Sequence, residues 1–297
     1  MRGSKTIIIL GGMIIVLMIL TFSACKKSTQ PTTNLDKDAI MRLVAEDSTT
    51  FPREITQSDS IDFPKIAVVD SVKFWRRKIT DINRNIQVDI HSADSNHLNA
   101  YAFVTITDNI TGFLYIRGWQ DTAFVFITKP FSDQAVKSAY FEKIGENEDP
   151  YRGWSLEGIS GVLSHSLPTS TRIIEQAHIV SSSGYDKTLF ENDITEIVLI
   201  DSLMTLQVGD TITLTVTTGD STDLVYLHRP VNYWRPQRRP FINNGDGTFS
   251  VTWTINEISC DCNRHHFAID VIKRATLYGD DAYDSRIWGL IYRATQP

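Results

Sequence analysis

Hydrophobic positions fall along this chain in three different patterns. From Thr6 to Phe22 they form one apolar run (TIIILGGMIIVLMILTF), behind a start that carries Arg2 and Lys5 and no acid. Over residues 37–48 (KDAIMRLVAEDS) they recur at Ile40, Leu43 and Val44. That i, i+3, i+4 spacing is one helix face, with Asn34 or Asp36 as the expected N-cap. Farther along they alternate with polar residues, and β-branched and aromatic side chains dominate, which is the period-two pattern of strands. The alternation predicts strands over 69–79, 84–92, 99–108, 111–118, 122–128, 135–144, 153–165 and about 173–181. Asp108-Asn109-Ile110-Thr111-Gly112 is expected to be a hairpin turn, and Lys129-Pro130-Phe131-Ser132-Asp133 a second break. One helix ahead of several long strands predicts an α+β domain over residues 36–190, with the helix on a curled antiparallel sheet.

A second strand set follows the polar Glu191-Asn192-Asp193. It includes Ile194–Ile200, Ile212–Thr217, Asp223–His228, Phe249–Ile255, Phe267–Leu277 and Arg286–Arg293, with turns at Thr218-Gly219-Asp220-Ser221 and Asn243 to Thr248. About seven strands in roughly 105 residues fit an immunoglobulin-like β-sandwich over 191–297, and that segment is expected to fold alone. The fold class is therefore mainly β. Asn244-Gly245-Asp246-Gly247-Thr248-Phe249 resembles the hairpin of filamin-type and bacterial immunoglobulin-like repeats, and Val208 to Val216 (VGDTITLTV) resembles their early strand. The resemblance implies spacing, adhesion or partner binding without catalysis. Arg152-Gly153-Trp154-Ser155-Leu156 resembles the closing strand of ketosteroid-isomerase-like cone folds. That resemblance implies a pocket in the N-terminal domain but carries no catalytic residue over.

The basic start, the apolar run and small residues before a cut are the pattern of an export signal, here residues 1–24. A permanent membrane helix is the alternative, since about 17 residues is the lower limit for crossing a ~30 Å core. Phe22-Ser23-Ala24-Cys25 resembles the lipobox of bacterial lipoproteins, with Phe22 where Leu is commoner. The resemblance implies diacylglycerol and acyl (palmitate) attachment at Cys25, residues 25–35 as a tether, and a protein held on a bilayer of the cell envelope. Lys26 after the cysteine points to the outer membrane or cell surface.

Charge narrows the partners. The chain has 29 basic and 35 acidic residues; residues 1–24 hold Arg2 and Lys5, so the remainder has 27 basic residues against 35 acidic and a net charge of −8. Such a balance argues against general nucleic-acid binding. Three cysteines, one of them Cys25, cannot form a disulfide framework.

Two segments concentrate candidate chemistry. His228 to Pro240 (HRPVNYWRPQRRP) holds Arg229, Arg235, Arg238 and Arg239 beside Tyr233 and Trp234, with no acid. Guanidinium forks suit sulfate, phosphate or carboxylate, and flat rings suit stacking, so an anionic glycan or an envelope protein is the expected partner. The alternative is a Pro-stiffened connection with paired arginines. Cys260, Cys262, His265 and His266 combine thiolate and imidazole, donors that suit Zn²⁺. A local disulfide and a plain loop are the alternatives there. Trp75-Arg76-Arg77-Lys78 is expected to be an exposed strand face, and His91, His97, His165 and His178 look scattered. Ser160, Ser164 and His165 lie close together without a Gly-x-Ser-x-Gly elbow.

The leading expectation is a non-catalytic envelope lipoprotein. Its rival is an enzyme or small-ligand receptor working in a cone-like pocket. The anchor can be tested directly: Cys25→Ala should abolish incorporation of radiolabelled palmitate and leave an unprocessed precursor, and label in the variant would refute the assignment.

Overall fold

The computed structural model describes residues 33–53, 72–120, 122–232, 235–256 and 264–296. Cys25 and the apolar run lie outside them. Helix α1 (Thr33–Glu46) leads into three long strands, β1 (Val72–His91), β2 (Tyr101–Gln120) and β3 (Ala123–Lys143). Shorter strands follow: β4 (Trp154–Ile159), β5 (Val162–Ser166), β6 (Gln176–Ser181) and β7 (Asp186–Leu189). After helix α2 (Glu191–Thr195) come β8 (Val198–Leu199), β9 (Thr205–Gln207), β10 (Thr211–Thr217), β11 (Leu224–Asn232), β12 (Arg235–Pro240), β13 (Ile242–Asn243) and β14 (Thr248–Thr254). The last elements are β15 (Arg264–Ile272), helix α3 (Arg274–Tyr278) and β16 (Ser285–Thr295). The fold is mainly β, with one short helix on a curled antiparallel sheet and a second sheet that fits a sandwich.

Helix α1 starts at Thr33, so Asn34 and Asp36 lie inside it rather than capping it. The Asp36 carboxylate instead accepts from Lys143 Nζ at 2.8 Å and from Trp154 Nε1 at 3.0 Å, fixing the helix to the ends of β3 and β4. The apolar helix face buries Ile40 and Val44, with Phe51, against Val104, Ile106, Phe141 and Trp154.

The long strands run through both expected breaks. Gly112 sits within β2, opposite Ile79. A Cβ there would collide with the Lys78 carbonyl, so this glycine serves close backbone approach rather than a turn. The nearby irregularity is a bulge in β1, where the pairing skips Thr80 between Ile79 and Asp81. In β3, Pro130 pairs with Phe113 on one side. On the other side β5 covers only Asp133–Val136 and β4 only Ala139–Lys143, so no described strand needs a donor from Pro130. The predicted strand over 153–165 divides at Ser160-Gly161. The expected Ile194–Ile200 strand is occupied by α2, β8 and a 3-10 turn, and the end of the expected Phe267–Leu277 strand forms α3.

Strand pairing also ignores the expected boundary between residues 190 and 191. One 11-stranded sheet runs β1-β2-β3-β5-β16-β15-β11-β12, joining strands from both halves. The other sheet, β13-β14-β10-β6-β7, takes two strands from before residue 190. One apolar cluster joins the two sheets, with Ile179 and Leu189 packed among Leu214, Phe249, Ile269 and Trp288.

The large sheet rolls up until its two ends meet. Trp75 on β1 and Tyr226 on β11 lie edge to face at 5.2 Å, although their strands stand toward opposite ends of the sheet order. Arg77 on β1 forks onto Asp270 on β15, Nη1 to Oδ2 at 2.7 Å and Nη2 to Oδ1 at 3.0 Å. Arg238, on β12 at one edge, donates to the Trp75 carbonyl on β1 at the other edge, at 2.6 Å. Among the described residues, side chains close what no backbone ladder closes.

A fragment of residues 191–297 would take β6 away from β10 and β5 away from β16, and would lose Ala177, Ile179 and Leu189 from the core. The expectation that it folds alone is therefore reversed. Its amide spectrum should be poorly dispersed, whereas a fragment of residues 33–297 should give a dispersed one; a well-dispersed spectrum for the shorter fragment would restore the boundary.

Candidate functional site

Strand alternation sorts the side chains of β1–β3 onto two faces. On β1, Trp75 and Arg77 turn into the core while Arg76 and Lys78 are exposed, so the expected all-exposed Trp75–Lys78 face is split. On β2 the outward residues are Phe113, Tyr115, Arg117 and Trp119; on β3 they include Phe124 and Phe126. Register then places Arg117 between Phe74 and Phe126, Arg76 beside Tyr115, Lys78 beside Phe113, and Trp119 beside Phe124.

The geometry is that of an open cation–aromatic cluster. The Arg117 guanidinium lies 5.7 Å from the Phe74 ring and 5.1 Å from the Phe126 ring. Arg76 lies 5.7 Å from Tyr115. Trp119 and Phe124 meet at 5.4 Å and 71°, and Phe124 and Phe126 at 5.4 Å and 87°. These rings are exposed, Phe126 by 67%, Trp119 by 46% and Phe124 by 44%, far beyond what core packing requires. Exposed Lys73 adds a fourth cation nearby. Residues 72–79, 113–120 and 122–131 contain no Asp or Glu, and Asp121 between β2 and β3 lies outside the described residues. In a chain of net charge −6 this is a local reversal of sign.

The far end of the same face is acidic. Tyr101 is stacked by His97 at 3.9 Å and by His91 at 4.8 Å, with Phe103 and Tyr140 alongside. Its hydroxyl donates to Asp94 at 3.0 Å, and the Tyr140 hydroxyl donates to Glu142 at 2.5 Å. The Asn96 and His97 donors hold the Asp94 carboxyl down at about 2. The two histidines that look scattered in sequence are thus brought onto one ring by strand register and the 92–100 loop, which no local pattern reveals.

The described arginines of the segment do not share one face. Arg238 is buried, its guanidinium 3.7 Å from the Trp75 ring, and burial pushes it down to about 10. Arg229 is half-buried, donates to Gln237 Oε1 at 3.4 Å and is lowered by burial. Arg239 is exposed and donates to the Thr252 carbonyl at 2.7 Å. Arg235 opens β12 opposite Asn232, its side chain outside the described residues, as are Tyr233 and Trp234. The segment is two antiparallel strands, and alternation sends neighbouring arginines to opposite sides.

Of the four expected metal ligands only the two histidines are described, and they point apart. Cys260 and Cys262 lie outside the described residues. His265 packs against Tyr292 at 5.4 Å and is lowered by burial. His266 donates from Nε2 to the Thr49 carbonyl at 2.8 Å, and burial pushes it down to about 4. Adjacent strand residues point to opposite faces, so one ion could not take both histidines. Among the described residues no group of three or more His, Cys, Asp or Glu is placed to hold a metal.

The close Ser160 and Ser164 of the sequence serve pairing in the described structure. Ser160 Oγ donates to the Gly161 carbonyl and accepts from the Ser138 N–H, a strand-joining role. A cleft of about 320 Å³ beside α2 is lined chiefly by apolar side chains such as Leu189, Ile194, Met204 and Leu290. Its charged pair, Lys187 and Asp193, sits 3.6 Å apart. No protein-family model matches the chain, and no curated protein matches it in sequence.

Two single substitutions separate structural from surface arginines. Arg238→Ala should lower stability by about 2–4 kcal/mol, because it opens the edge closure and leaves the Trp75 carbonyl without that donor. Arg239→Ala should cost less than about 1 kcal/mol. Urea unfolding of the two variants decides; equal midpoints would show that Arg238 closes nothing.

Proposed function

We propose that this protein is a lipid-anchored component of the bacterial cell envelope, acylated at Cys25, that acts as a non-catalytic binding module for an acidic envelope partner. Lys26 favours the outer membrane, and the immunoglobulin-like resemblance of the C-terminal strands favours a structural or adhesive role. The observation that carries the reading is the outer face of β1–β3, where Arg76, Lys78 and Arg117 stand among exposed aromatic rings without a described acid. None of these three cations is ion-paired among the described residues. Surface cations steer acidic ligands over about a Debye length, ~10 Å at 0.1 M salt.

The rival reading, an enzyme or receptor using a cone-like pocket, needs an open concave face. Here α1 and Phe51 fill that face against Ile106, Phe141 and Trp154. The anionic partner expected for the arginine segment is better served by the β1–β3 face, because Arg238 is buried.

The test is charge reversal in the full chain. Arg76→Glu/Lys78→Glu/Arg117→Glu should reduce retention on separated acidic envelope fractions (lipid, glycan and protein) by at least about tenfold, since each cation near an anionic surface contributes ~1 kcal/mol. Wild-type retention should fall as salt rises, and melting of the variant should change little. Undiminished retention of every fraction by the triple variant would refute the reading.

A further inference from the structure

The outer face of β1–β3 carries opposite charges at its two ends. One end displays Asp89, Asp94 and Glu142 around the rings of Tyr101 and Phe103. The other displays Arg76, Lys78 and Arg117 around Phe113 and Phe126. The rows between carry amides and hydroxyls such as Asn85, Gln87 and Thr107, with Asp81 beside the bulge. Arg84 would blur this separation, but it turns inward and forks onto Asp108, both contacts at 2.7 Å. Such a face is complementary to itself. A two-fold axis lying across the strands, midway along the ribbon, carries a second copy's cations onto the first copy's acids. The same rotation carries its acids onto the first copy's cations. Both ends also expose apolar surface that the core does not use. Phe126 is 67% exposed at the cationic end, and Phe103 is 43% and Leu98 96% exposed at the acidic end.

The strip is large enough for a stable dimer. Strands β1 and β2 have 20 residues each. At ~3.3 Å per residue and ~4.8 Å between strands, three such strands present roughly 65 Å by 15 Å, about 1,000 Å². A stable interface takes ~800 Å² from each partner. Twisted sheets of one hand pack face to face in sandwiches, so two such ribbons can stay in contact along their length. A bilayer or a glycan would satisfy the cations and leave the acidic end of the same face bare, whereas a second copy satisfies both. We propose that the partner of this face is a second copy of this chain, docked antiparallel in a two-fold dimer. In it Arg76, Lys78 and Arg117 of each copy meet Asp89, Asp94 and Glu142 of the other. The β2–β3 turn lies beyond these rows and takes no part. The inference rests on the binding reading above and names its acidic partner, since the chain itself carries a net charge of −6.

Sedimentation equilibrium of the full chain in density-matched neutral detergent tests this, with micelles in large excess over protein. Wild type should sediment as a dimer that dissociates as salt rises. Arg76→Glu/Lys78→Glu/Arg117→Glu gives a copy with two acidic ends, and Asp89→Lys/Asp94→Asn/Glu142→Lys a copy with two basic ends. Each alone should dimerise at least about a hundredfold more weakly than wild type, because like charges then oppose at both contacts. An equimolar mixture should recover the dimer, since every contact is again between opposite charges. Phe103→Ser/Phe126→Ser should also weaken the dimer while melting close to wild type, and it decides the matter where a charge variant fails to fold. A monomeric wild type would overturn the proposal. So would open-ended oligomers, any of these variants dimerising alone as tightly as wild type, or two folded charge variants that stay apart on mixing. If wild type is monomeric while the two-acidic-ended variant loses retention on envelope fractions, the dimer fails and the binding reading stands. If that retention is also undiminished, both fail.

Discussion

The buried fork between Arg77 and Asp270 is the constraint on which the rest of the architecture turns. It joins β1, at one end of an eleven-stranded sheet, to β15 near the other end, and so fixes how far the sheet must roll. Both partners are removed from water, which is costly unless their polar atoms are matched. Here the two charged groups are matched. Arg77 Nε donates to the Tyr283 hydroxyl at 2.9 Å, and that hydroxyl donates to Asp133 at 2.9 Å. Ser285 donates to Asp270 Oδ1 at 2.9 Å. His228 Nε2 lies 2.9 Å from Asp270 Oδ2. Burial by itself would raise the Asp270 carboxyl, but the Arg77 charge and the His228 and Arg77 hydrogen bonds outweigh it and hold the group ionised, well below the usual carboxylate range. Burial lowers His228, while the Asp270 hydrogen bond and charge work to raise it. A network of this kind contributes less to net stability than to uniqueness: removing one partner strands a buried charge at a cost of about 3–5 kcal/mol, which makes alternative rolls of the sheet expensive.

That inward fork also determines what faces outward. With Trp75 and Arg77 committed to the core, strand geometry leaves Arg76 and Lys78 no other side to occupy. The bulge at Thr80 shifts the alternation of β1 by one residue. Between Phe74 and Lys78 the even-numbered residues point outward, and after Thr80 odd-numbered ones such as Asn83 and Asn85 do. The outer face therefore stays continuous from the cationic aromatic end to the acidic end at Asp89 and Asp94. The polar network and the bulge at Thr80 thus set the charge layout from Phe74 to the acidic end of this face.

The fold class is legible in the sequence because alternation is a local signal. The helix over Ile40–Val44 and the strands around 212–217 and 249–255 follow from it. Turn chemistry misleads at Asp108–Gly112 and Lys129–Asp133, since Gly, Asn, Asp and Pro also serve bulges, polar outer faces and unpaired edges. The expected 190/191 boundary fails for another reason: β6 and β7 carry the same alternation as their neighbours, and nothing local says which sheet a strand joins. Arg238 reads as a surface residue because its neighbours are cationic, yet its guanidinium is held by the Trp75 ring and carbonyl, far away in sequence. The cation–aromatic face is hidden in the sequence for the same reason. Phe74, Arg117 and Phe126 belong to three separate strands, and only their register brings them together.

Exposed aromatic rings on a long sheet are a liability, because they invite aggregation through faces and edges. The inner face of these strands already buries Trp75, Leu114, Ile116 and Phe131 in a finished cluster, so the outer rings add nothing to that core. Cation–π contacts on an open surface contribute only about 0.5–1 kcal/mol each, too little to be a reason for displaying Phe113, Trp119, Phe124 and Phe126. Polar residues at the same positions would give a strand pair of similar stability and better solubility. The middle stretch of the same ribbon is built in that way, with Asn83, Asn85, Gln87, Thr105 and Thr107 outward. The contrast between the polar middle of the ribbon and the ring-bearing stretch near the β2–β3 turn is therefore not one that packing of the core accounts for.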